Sequence, residues 1–322
     1  MNKLIFLIFL FCFTNCSDEN NPSLSRDSHQ KKLCIITKIL TIKSSTFMEQ
    51  FSAGSALGLY ITSEKADRLP NGICKFKNVK IVALNSKKNG IIWKQSSSIY
   101  LKDNEPLRVY AYHPYQENLS CPATYIPIQV SPIAILTHDY MYGTHTKGHK
   151  AVNVHCPYAL LSMKHALSLL FFQIRMDKNY KSEILDSYQL SAIQVGNKAG
   201  GSILCNKGTL DITSGQINYG SHPSTASTRL NMDTSVTLNC DSYKTFKIMV
   251  MPTIHPTVEE GDIEVIFIIN GKSYKYRLPK QTQWDKGYQY LYSFRFDGKN
   301  IKLEKYNRKS WISGNNRDFF LP

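Results

Sequence analysis

The sequence lacks the motifs around which most enzyme and cofactor sites are built. It has no Gly-x-Ser-x-Gly motif to present a nucleophilic serine, and the segment at residues 54–58 (GSALG) has the wrong spacing. The glycine pair at 200–201 lacks the following lysine and helix of a phosphate-binding loop. Carboxylates are sparse, 24 against 39 lysines and arginines, and nothing argues for a glycosidase pair. We therefore predict that the protein is not an enzyme and has no cofactor.

Charged residues are also few, 20% of the total, and no run of four basic residues occurs. With 322 residues, 42% of them hydrophobic, the chain can bury a core, and its length favours two domains. The net charge is +15, but lysines such as Lys75, Lys77 and Lys80 alternate along strand-like segments. This pattern indicates a cationic, solvated surface and no nucleic-acid site. A weak attraction to anionic polysaccharide or to a cell surface stays open.

Long hydrophobic runs are missing except at the N-terminus. Residues 4–13 are uniformly apolar and span about 15 Å as a helix, and no later segment reaches the roughly 18 residues of a membrane span. Residues 1–15 are therefore predicted to be a signal peptide. The segment that ends in Asn15-Cys16 is similar to a relaxed bacterial lipobox, from which Asn15 departs, and it predicts lipid attachment at Cys16. We expect a lipoprotein at the outer membrane and cell surface; an ordinary signal peptide is the alternative.

Cysteines and histidines offer no clear metal site. Six cysteines remain beyond Cys12 and Cys16, namely Cys34, Cys74, Cys121, Cys156, Cys205 and Cys240. Disulfides and buried free thiols are equally consistent with them, and no pairing is predicted. Four histidines share one stretch, namely His138, His145, His149 and His155. Their spacing matches no zinc motif, so we predict that they lie in a polar loop. His165 lies in an apolar segment and is predicted to be a hydrogen-bonded core residue.

Short alternating segments dominate from Leu33 onward and predict an all-β fold of antiparallel sheets. The clearest strands have Ile, Val, Tyr, Phe and Thr at alternate positions and lie at residues 33–42, 56–62, 74–84, 99–102, 107–112, 125–130, 188–195, 246–251 and 263–269. Residues 16–32 are polar and predict a flexible tether. A polar stretch at 178–186 suggests a domain boundary, with β-sandwiches at 33–180 and 181–322.

Two hairpins and one ambiguous segment complete the secondary structure. Asn270-Gly271 and Asp297-Gly298 each lie between alternating strands, as two-residue type I′ turns require. Residues 160–174 have apolar side chains at helical spacing but equally suit a strand that is buried on both faces.

Five short segments and one tryptophan carry a family resemblance, and they lie at residues 56–61, 109–115, 139–144, 163–171 and 284–290, with Trp311 after the last hairpin. In this order they resemble elements of the fimbrillin (Mfa-like) family over residues 33–315. The resemblance implies two transthyretin-like antiparallel β-sandwich domains, a lipoprotein precursor, and a structural subunit or tip adhesin of a type V pilus. It also implies that residues 160–174 are mostly strand.

The resemblance further implies a mechanism of assembly. In the family, a trypsin-like protease removes an N-terminal strand, and a strand of the neighbouring subunit fills the resulting groove. Here residues 33–42 would be the removable strand, and Lys43 or Arg68 would have to serve as the processing site, because no arginine follows Ile42. The donor candidates are the apolar residues of the C-terminal segment, Trp311, Phe319, Phe320 and Leu321. The implied partners are other pilus subunits, either copies of this chain or paralogues.

A monomeric surface lipoprotein that binds glycan or a host protein is the alternative. The missing arginine after Ile42 favours it slightly, whereas the family elements favour the pilus subunit more. Four tyrosines near loops have rings suited to stacking on a sugar, although the family pattern already accounts for them: Tyr112, Tyr115, Tyr140 and Tyr142.

Overall fold

The computed structural model describes residues 30–40, 50–63, 74–86, 90–119, 124–178, 187–221, 225 and 227–310. The strands of the first half are β1 (Lys31–Lys32), β2 (Cys34–Ile39), β3 (Ala56–Ser63), β4 (Cys74–Ser86), β5 (Gly90–Gln95), β6 (Tyr100–Leu101), β7 (Leu107–His113), β8 (Tyr125–Gln129), β9 (Met141–His145) and β10 (Tyr158–His165). Those of the second half are β11 (Ser168–Met176), β12 (Gln189–Asn197), β13 (Lys207–Asp211), β14 (Ile217–Asn218), β15 (Ser227–Thr237), β16 (Lys244–Val250), β17 (Ile263–Ile269), β18 (Lys272–Arg277), β19 (Tyr288–Phe296) and β20 (Ile301–Ser310).

The predicted all-β fold is confirmed within these ranges. A three-residue 3-10 turn, Ala134–Leu136, is the one helical element among the described residues. None of the described residues forms a helix with the length and hydrophobicity to cross a membrane.

Seven strands of the first half form one sheet in the order β2-β10-β9-β7-β3-β4-β5. Only β2 and β10 are parallel in this sheet; every other neighbouring pair in it is antiparallel. One face covers an apolar cluster, named here the N-terminal core, which consists of Leu33, Ile35, Ile39, Phe51, Leu57, Leu59, Ile61, Ile81, Ile99, Leu101, Val109, Ala111, Met141, Val152, Ala159, Leu161 and Met163. β2 and β5, the two edge strands of this sheet, meet side by side: the Trp93 indole of β5 donates a hydrogen bond to Thr37 Oγ1 of β2 at 3.1 Å. The sheet therefore curls around the N-terminal core.

Two four-stranded sheets of the second half pack face to face. Their orders are β16-β11-β19-β20 and β15-β12-β17-β18, and their inward side chains share one apolar cluster. Phe267 of β17 lies edge-on to Phe172 of β11 and Phe294 of β19, with ring centroids 6.4 and 5.1 Å away. Trp284 is fully buried in this cluster, and its indole donates a hydrogen bond to the Tyr292 hydroxyl at 2.8 Å.

The chain changes sheets between His165 and Ser168. β10 belongs to the seven-stranded sheet, whereas β11 pairs with β16 and β19. The ambiguous segment at 160–174 is therefore two strands, as the resemblance implies, because its side chains are buried on both faces. The predicted division assigns β11 to residues 33–180, although its sheet partners lie in the second half. The domain boundary stays a prediction.

A three-stranded sheet, β14-β13-β8, links the two halves. Ile126, Ile128 and Leu210 of this sheet pack in one apolar cluster with Tyr142 of the seven-stranded sheet. Gly215, in the turn between β13 and β14, has a φ of +71°, and a Cβ there would lie 2.0 Å from Cζ of Tyr142. Only glycine allows both this conformation and this close approach.

Both predicted hairpins are present, but one differs in its loop. Asn270 and Gly271, with φ of 47° and 72°, form the expected two-residue turn between β17 and β18. The prediction of a two-residue turn between β19 and β20 is wrong, since residues 297–300 form a four-residue loop. Asp297 Oδ1 accepts hydrogen bonds from two backbone N–H groups of this loop, at 3.0 and 2.7 Å, which stabilise the wider turn.

The turn before β17 is built around the carboxylate of Asp262. Its Oδ2 accepts hydrogen bonds from the backbone N–H groups of Glu259 and Val258, each at 2.8 Å. Its Oδ1 lies 2.6 Å from Lys198 Nζ. The Glu259 N–H and the Lys198 ammonium group lower the pKa of Asp262 to about 2, with a further contribution from Val258.

Candidate strand-exchange groove

β2 lies at the edge of the seven-stranded sheet, where β10 is its only partner among the described strands. The register places Cys34 opposite Tyr158. Two backbone hydrogen bonds extend the ladder, from the Cys34 N–H to the Pro157 oxygen at 2.7 Å and from the Leu40 N–H to the Met163 oxygen at 2.8 Å. Because an edge strand is bonded along one side, β2 can leave this sheet without separating any other pair of its strands.

The inward side chains of β2 fill a groove in the N-terminal core. Leu33, which precedes the strand, and Ile35 and Ile39 within it are 1%, 8% and 6% exposed. Burial of one such side chain contributes about 1.5–3 kcal/mol, so the three together contribute roughly 5–9 kcal/mol. Loss of this segment would open an apolar groove beside β10, and refilling that groove with apolar side chains would be strongly favourable.

Two side chains of β5 close the groove from the opposite side; we name Gln95 and Trp93 the polar clamp. Gln95 is buried, and its Nε2 donates a hydrogen bond to the Leu33 oxygen at 2.5 Å. Its Oε1 accepts one from the Ile99 N–H at 2.8 Å. Trp93 donates to Thr37, as described above. A buried amide with both groups satisfied fixes the position of the incoming strand.

Sequence reasoning did not identify the polar clamp. The signal was present, because alternation along β5 places Gln95 on the same inward face as Trp93, where an apolar residue is expected. A polar residue at such a position indicates a specific hydrogen-bond partner, but the partner itself is 62 residues away in sequence.

The predicted site residues all lie outside the described residues. They comprise the lipid attachment site, the two processing candidates and the four donor candidates, namely Cys16, Lys43, Arg68, Trp311, Phe319, Phe320 and Leu321. Of the predicted removable strand at 33–42, the structure describes residues up to Leu40. Lipid attachment, processing and strand donation therefore stay predictions.

The histidines have local structural contacts. Among the described residues, no group of three or more His, Cys, Asp or Glu could hold a metal ion. His145 accepts a hydrogen bond from the Leu160 N–H at Nδ1, 3.0 Å, and its Nε2 lies 3.1 Å from the Lys150 oxygen. His165 is buried with its Nδ1 2.9 Å from Asp139 Oδ1, so it is the hydrogen-bonded core residue that the sequence predicts.

Four cysteines of the described ranges are free thiols, namely Cys74, Cys156, Cys205 and Cys240. Burial raises the pKa of the Cys74 and Cys205 thiols, which keeps them protonated and poorly nucleophilic. Cys34 donates a long hydrogen bond, 3.9 Å, to the Lys32 oxygen. Cys121 lies outside the described residues.

The fold is similar to solved structures of Bacteroides proteins. A putative cell adhesion protein from Bacteroides uniformis matches with a TM-score of 0.62 and 15% identity, over 88% of this chain and 98% of that chain. One from Bacteroides ovatus matches with a TM-score of 0.62 and 15% identity, over 88% and 99%. A fimbrial protein from Bacteroides vulgatus matches with a TM-score of 0.60 and 14% identity, over 87% and 99%. At these identities the likeness concerns the fold alone.

The sequence itself carries a family match. No match was found among curated proteins. The family model described as fimbrillin-like matches residues 44–311, which is most of the chain and begins just after β2. The chain therefore belongs to the fimbrillin-like family.

Proposed function

We propose that this protein is a structural subunit or tip adhesin of a cell-surface fimbria, and that it is assembled by strand exchange. Membership of the fimbrillin-like family supports a role in fimbriae or adhesion and places the chain among structural and adhesion proteins, not enzymes. The observation that carries the strand-exchange part is β2, an edge strand whose side chains fill an apolar groove. Replacement by a strand of another subunit would restore both the backbone ladder and the apolar contacts.

Parallel pairing of β2 with β10 supports exchange in a further way. A parallel partner within one chain needs a long connection, whereas a donor from a second molecule has no such connection. The donor can therefore pair with β10 in either direction. Antiparallel pairing would be slightly more stable per residue, which favours the exchanged state over the precursor.

The two processing candidates differ in what a cut would release. Cleavage after Lys43 frees a segment whose described strands are β1 and β2, because β3 begins at residue 56. Cleavage after Arg68 frees a segment that also contains β3, which is bonded on both sides and whose Leu57 and Ile61 are fully buried. Removal of a central strand would disrupt the sheet. We therefore assign processing to Lys43.

Limited trypsin digestion of the recombinant chain from residue 17 to 322 tests this assignment, with intact mass and electron microscopy as readouts. We expect one early cut after Lys43, release of the N-terminal segment and filaments from the remaining core. Lys43→Gln should abolish the early cut and the filaments, whereas Arg68→Gln, the matched control, should leave both unchanged. A core that loses the segment and stays monomeric would refute the polymerising subunit and favour the monomeric surface lipoprotein.

Two peptides test the donor. One copies residues 31–42, and the other copies residues 308–322, which include Trp311, Phe319, Phe320 and Leu321. Each is added to the cut core and the thermal unfolding midpoint is measured. Stabilisation by the second peptide supports exchange between copies of this chain. Stabilisation by the first alone supports a paralogous donor, and stabilisation by neither would contradict a refillable groove.

Export as a lipoprotein is the remaining part of the proposal. The apolar run at 4–13 followed by Cys16 supports it, and the polar residues 17–32 supply a tether to the first strand. In a Bacteroides host, Cys16→Ser should eliminate incorporation of labelled palmitate and release the protein from outer-membrane fractions. Unchanged labelling would exclude Cys16 as the lipid attachment site.

A further inference from the structure

A second groove lies on the opposite edge of the three-stranded sheet from β14, between β8 and the loop that follows β7. Its volume is about 600 Å³, within the range typical of small-ligand sites. The lining side chains include two aromatic rings and several polar groups, and the main ones are Tyr115, Gln129, His138, Tyr140 and Lys207. This groove is separate from the β2 groove, because β8 and β13 belong to the three-stranded sheet, whereas β2 and β10 belong to the seven-stranded sheet.

The aromatic walls of this groove are held in place by neighbouring groups. Tyr140 is mostly buried, and its hydroxyl accepts a hydrogen bond from the Gln129 N–H at 3.3 Å. Tyr115 is half-exposed, and Lys80 Nζ lies 5.2 Å from its ring centroid. His138 lies edge-on to Tyr140, with ring centroids 6.3 Å apart. Fixed aromatic rings offer flat apolar faces to a ligand at little cost in conformational entropy.

Among the Lys, Arg, Asp and Glu side chains of the described residues, the one that lines this groove is Lys207. Lys207 pairs across the sheet with Gln129, so the two side chains project from the same face. Neither Lys207 nor Lys80 forms an ion pair with a described residue, and no described Asp or Glu lines the groove. An acidic group that acts on Tyr115, Glu117, is exposed and does not line the groove. A lysine without a counterion beside polar donors favours an anionic ligand.

We propose that this groove binds a carbohydrate that carries a carboxylate. The half-exposed Tyr115 ring would stack on the apolar face of a sugar ring, the Lys207 ammonium group would bind the carboxylate, and Gln129 and His138 would bind hydroxyl groups. The proposal deepens the adhesin part of the proposed function. It does not depend on strand exchange, because the groove is complete in the uncut chain.

Isothermal titration calorimetry on the uncut chain from residue 17 to 322 tests this proposal. Two probes represent the two natural sources of such sugars: 3′-sialyllactose for sialylated glycans and trigalacturonic acid for uronic-acid polysaccharides. Lactose is the neutral control. We expect one acidic probe to bind at least tenfold more tightly than lactose, and its identity assigns the source. Absence of binding by both acidic probes, or equal binding of lactose, would overturn the proposal and leave strand exchange unaffected.

Two lysine variants locate the binding site. Lys207→Ala should weaken binding of the better acidic probe about tenfold or more, as loss of a charge-assisted hydrogen bond predicts. Lys272→Ala is the matched control, because Lys272 is an exposed lysine on β18, away from this groove. Both variants are first checked for an unchanged thermal midpoint. Equal affinities of the two variants would place the binding site elsewhere and overturn the assignment.

Discussion

The substitution Ile39→Ala tests whether the N-terminal core holds β2 in place. Ile39 is 6% exposed and belongs to the N-terminal core, so its truncation removes buried methyl groups and leaves a cavity. Such truncations cost about 2–5 kcal/mol. Because β2 is an edge strand, its detachment can be a local event that breaks the pairing with β10 and the Trp93–Thr37 hydrogen bond but no other strand pair of the sheet. The full cost then appears in the local opening of β2, where it raises the open population roughly 30-fold or more.

Hydrogen exchange measured by mass spectrometry on the uncut chain detects this opening. The informative amides are those of Cys34 and Leu40, which donate to carbonyl oxygens at the two ends of the β10 ladder. We expect both amides to exchange at least 30-fold faster in Ile39→Ala, while peptides from β17 keep their wild-type rates. Ile36→Ala is the control, because Ile36 lies on the opposite, half-buried face of the same strand.

The reasoning fails if Ile39→Ala and Ile36→Ala accelerate exchange equally, since the effect would then not depend on the groove. It also fails if β2 and β17 accelerate together, because β2 would then open only with global unfolding. In that case β2 would not detach from the folded chain by itself, and strand exchange could not begin with such a local detachment. A selective effect on β2 would show that the groove controls release of the strand.

Three further substitutions test contacts elsewhere. Tyr292→Phe leaves the buried Trp284 N–H without its acceptor and should lower the free energy of unfolding in urea by about 1–3 kcal/mol; no change would contradict that bond. Gly215→Ala should destabilise more than Gly220→Ala, which costs about 1–2 kcal/mol for its positive φ alone; equal costs would exclude the ring overlap. Asp262 has a pKa of about 2 against 3.8 when unfolded, so its stabilisation is present above pH 4 and lost toward pH 2. Asp262→Asn should reduce the change of the thermal unfolding midpoint with pH between pH 4 and pH 2. A variant whose pH profile runs parallel to that of the wild type would contradict the lowered pKa.

The strands could be predicted from the sequence because their signal is local. Each of the nine predicted segments overlaps a strand, and the turn at Asn270-Gly271 has the two positive φ angles that this residue pair favours. Pairing between distant segments has no such signal. Neither the parallel pairing of β2 with β10 nor the pairing of β8 with β13 follows from alternation, since either edge of a strand can bond to any other strand. The four-residue loop at 297–300 was missed because Asp-Gly is compatible with several turns.

The candidate site could be predicted only in part. The removable strand came from the family resemblance, and the structure places its described portion at a sheet edge. The polar clamp and the second groove, beside β8, could not be predicted from the sequence, because each joins residues that are distant in sequence. Gln95 and Leu33 are 62 residues apart, and Lys207 is brought beside Tyr140 only by the pairing of β8 with β13.

The composition of the β2 groove also bears on which chain donates the strand. Its three apolar positions are occupied by Leu33, Ile35 and Ile39, so the second lies two residues after the first and the third lies four residues after the second. Within residues 308–322 the apolar residues before Pro322 lie at 311–312 and 319–321, and no register that places all three positions inside this range, in either direction, meets them with three apolar residues. In each of these registers a polar residue, such as Asn315 or Arg317, would occupy at least one of the three positions, at a cost in desolvation. This mismatch favours a paralogous donor over a second copy of this chain, and the two-peptide comparison decides between them.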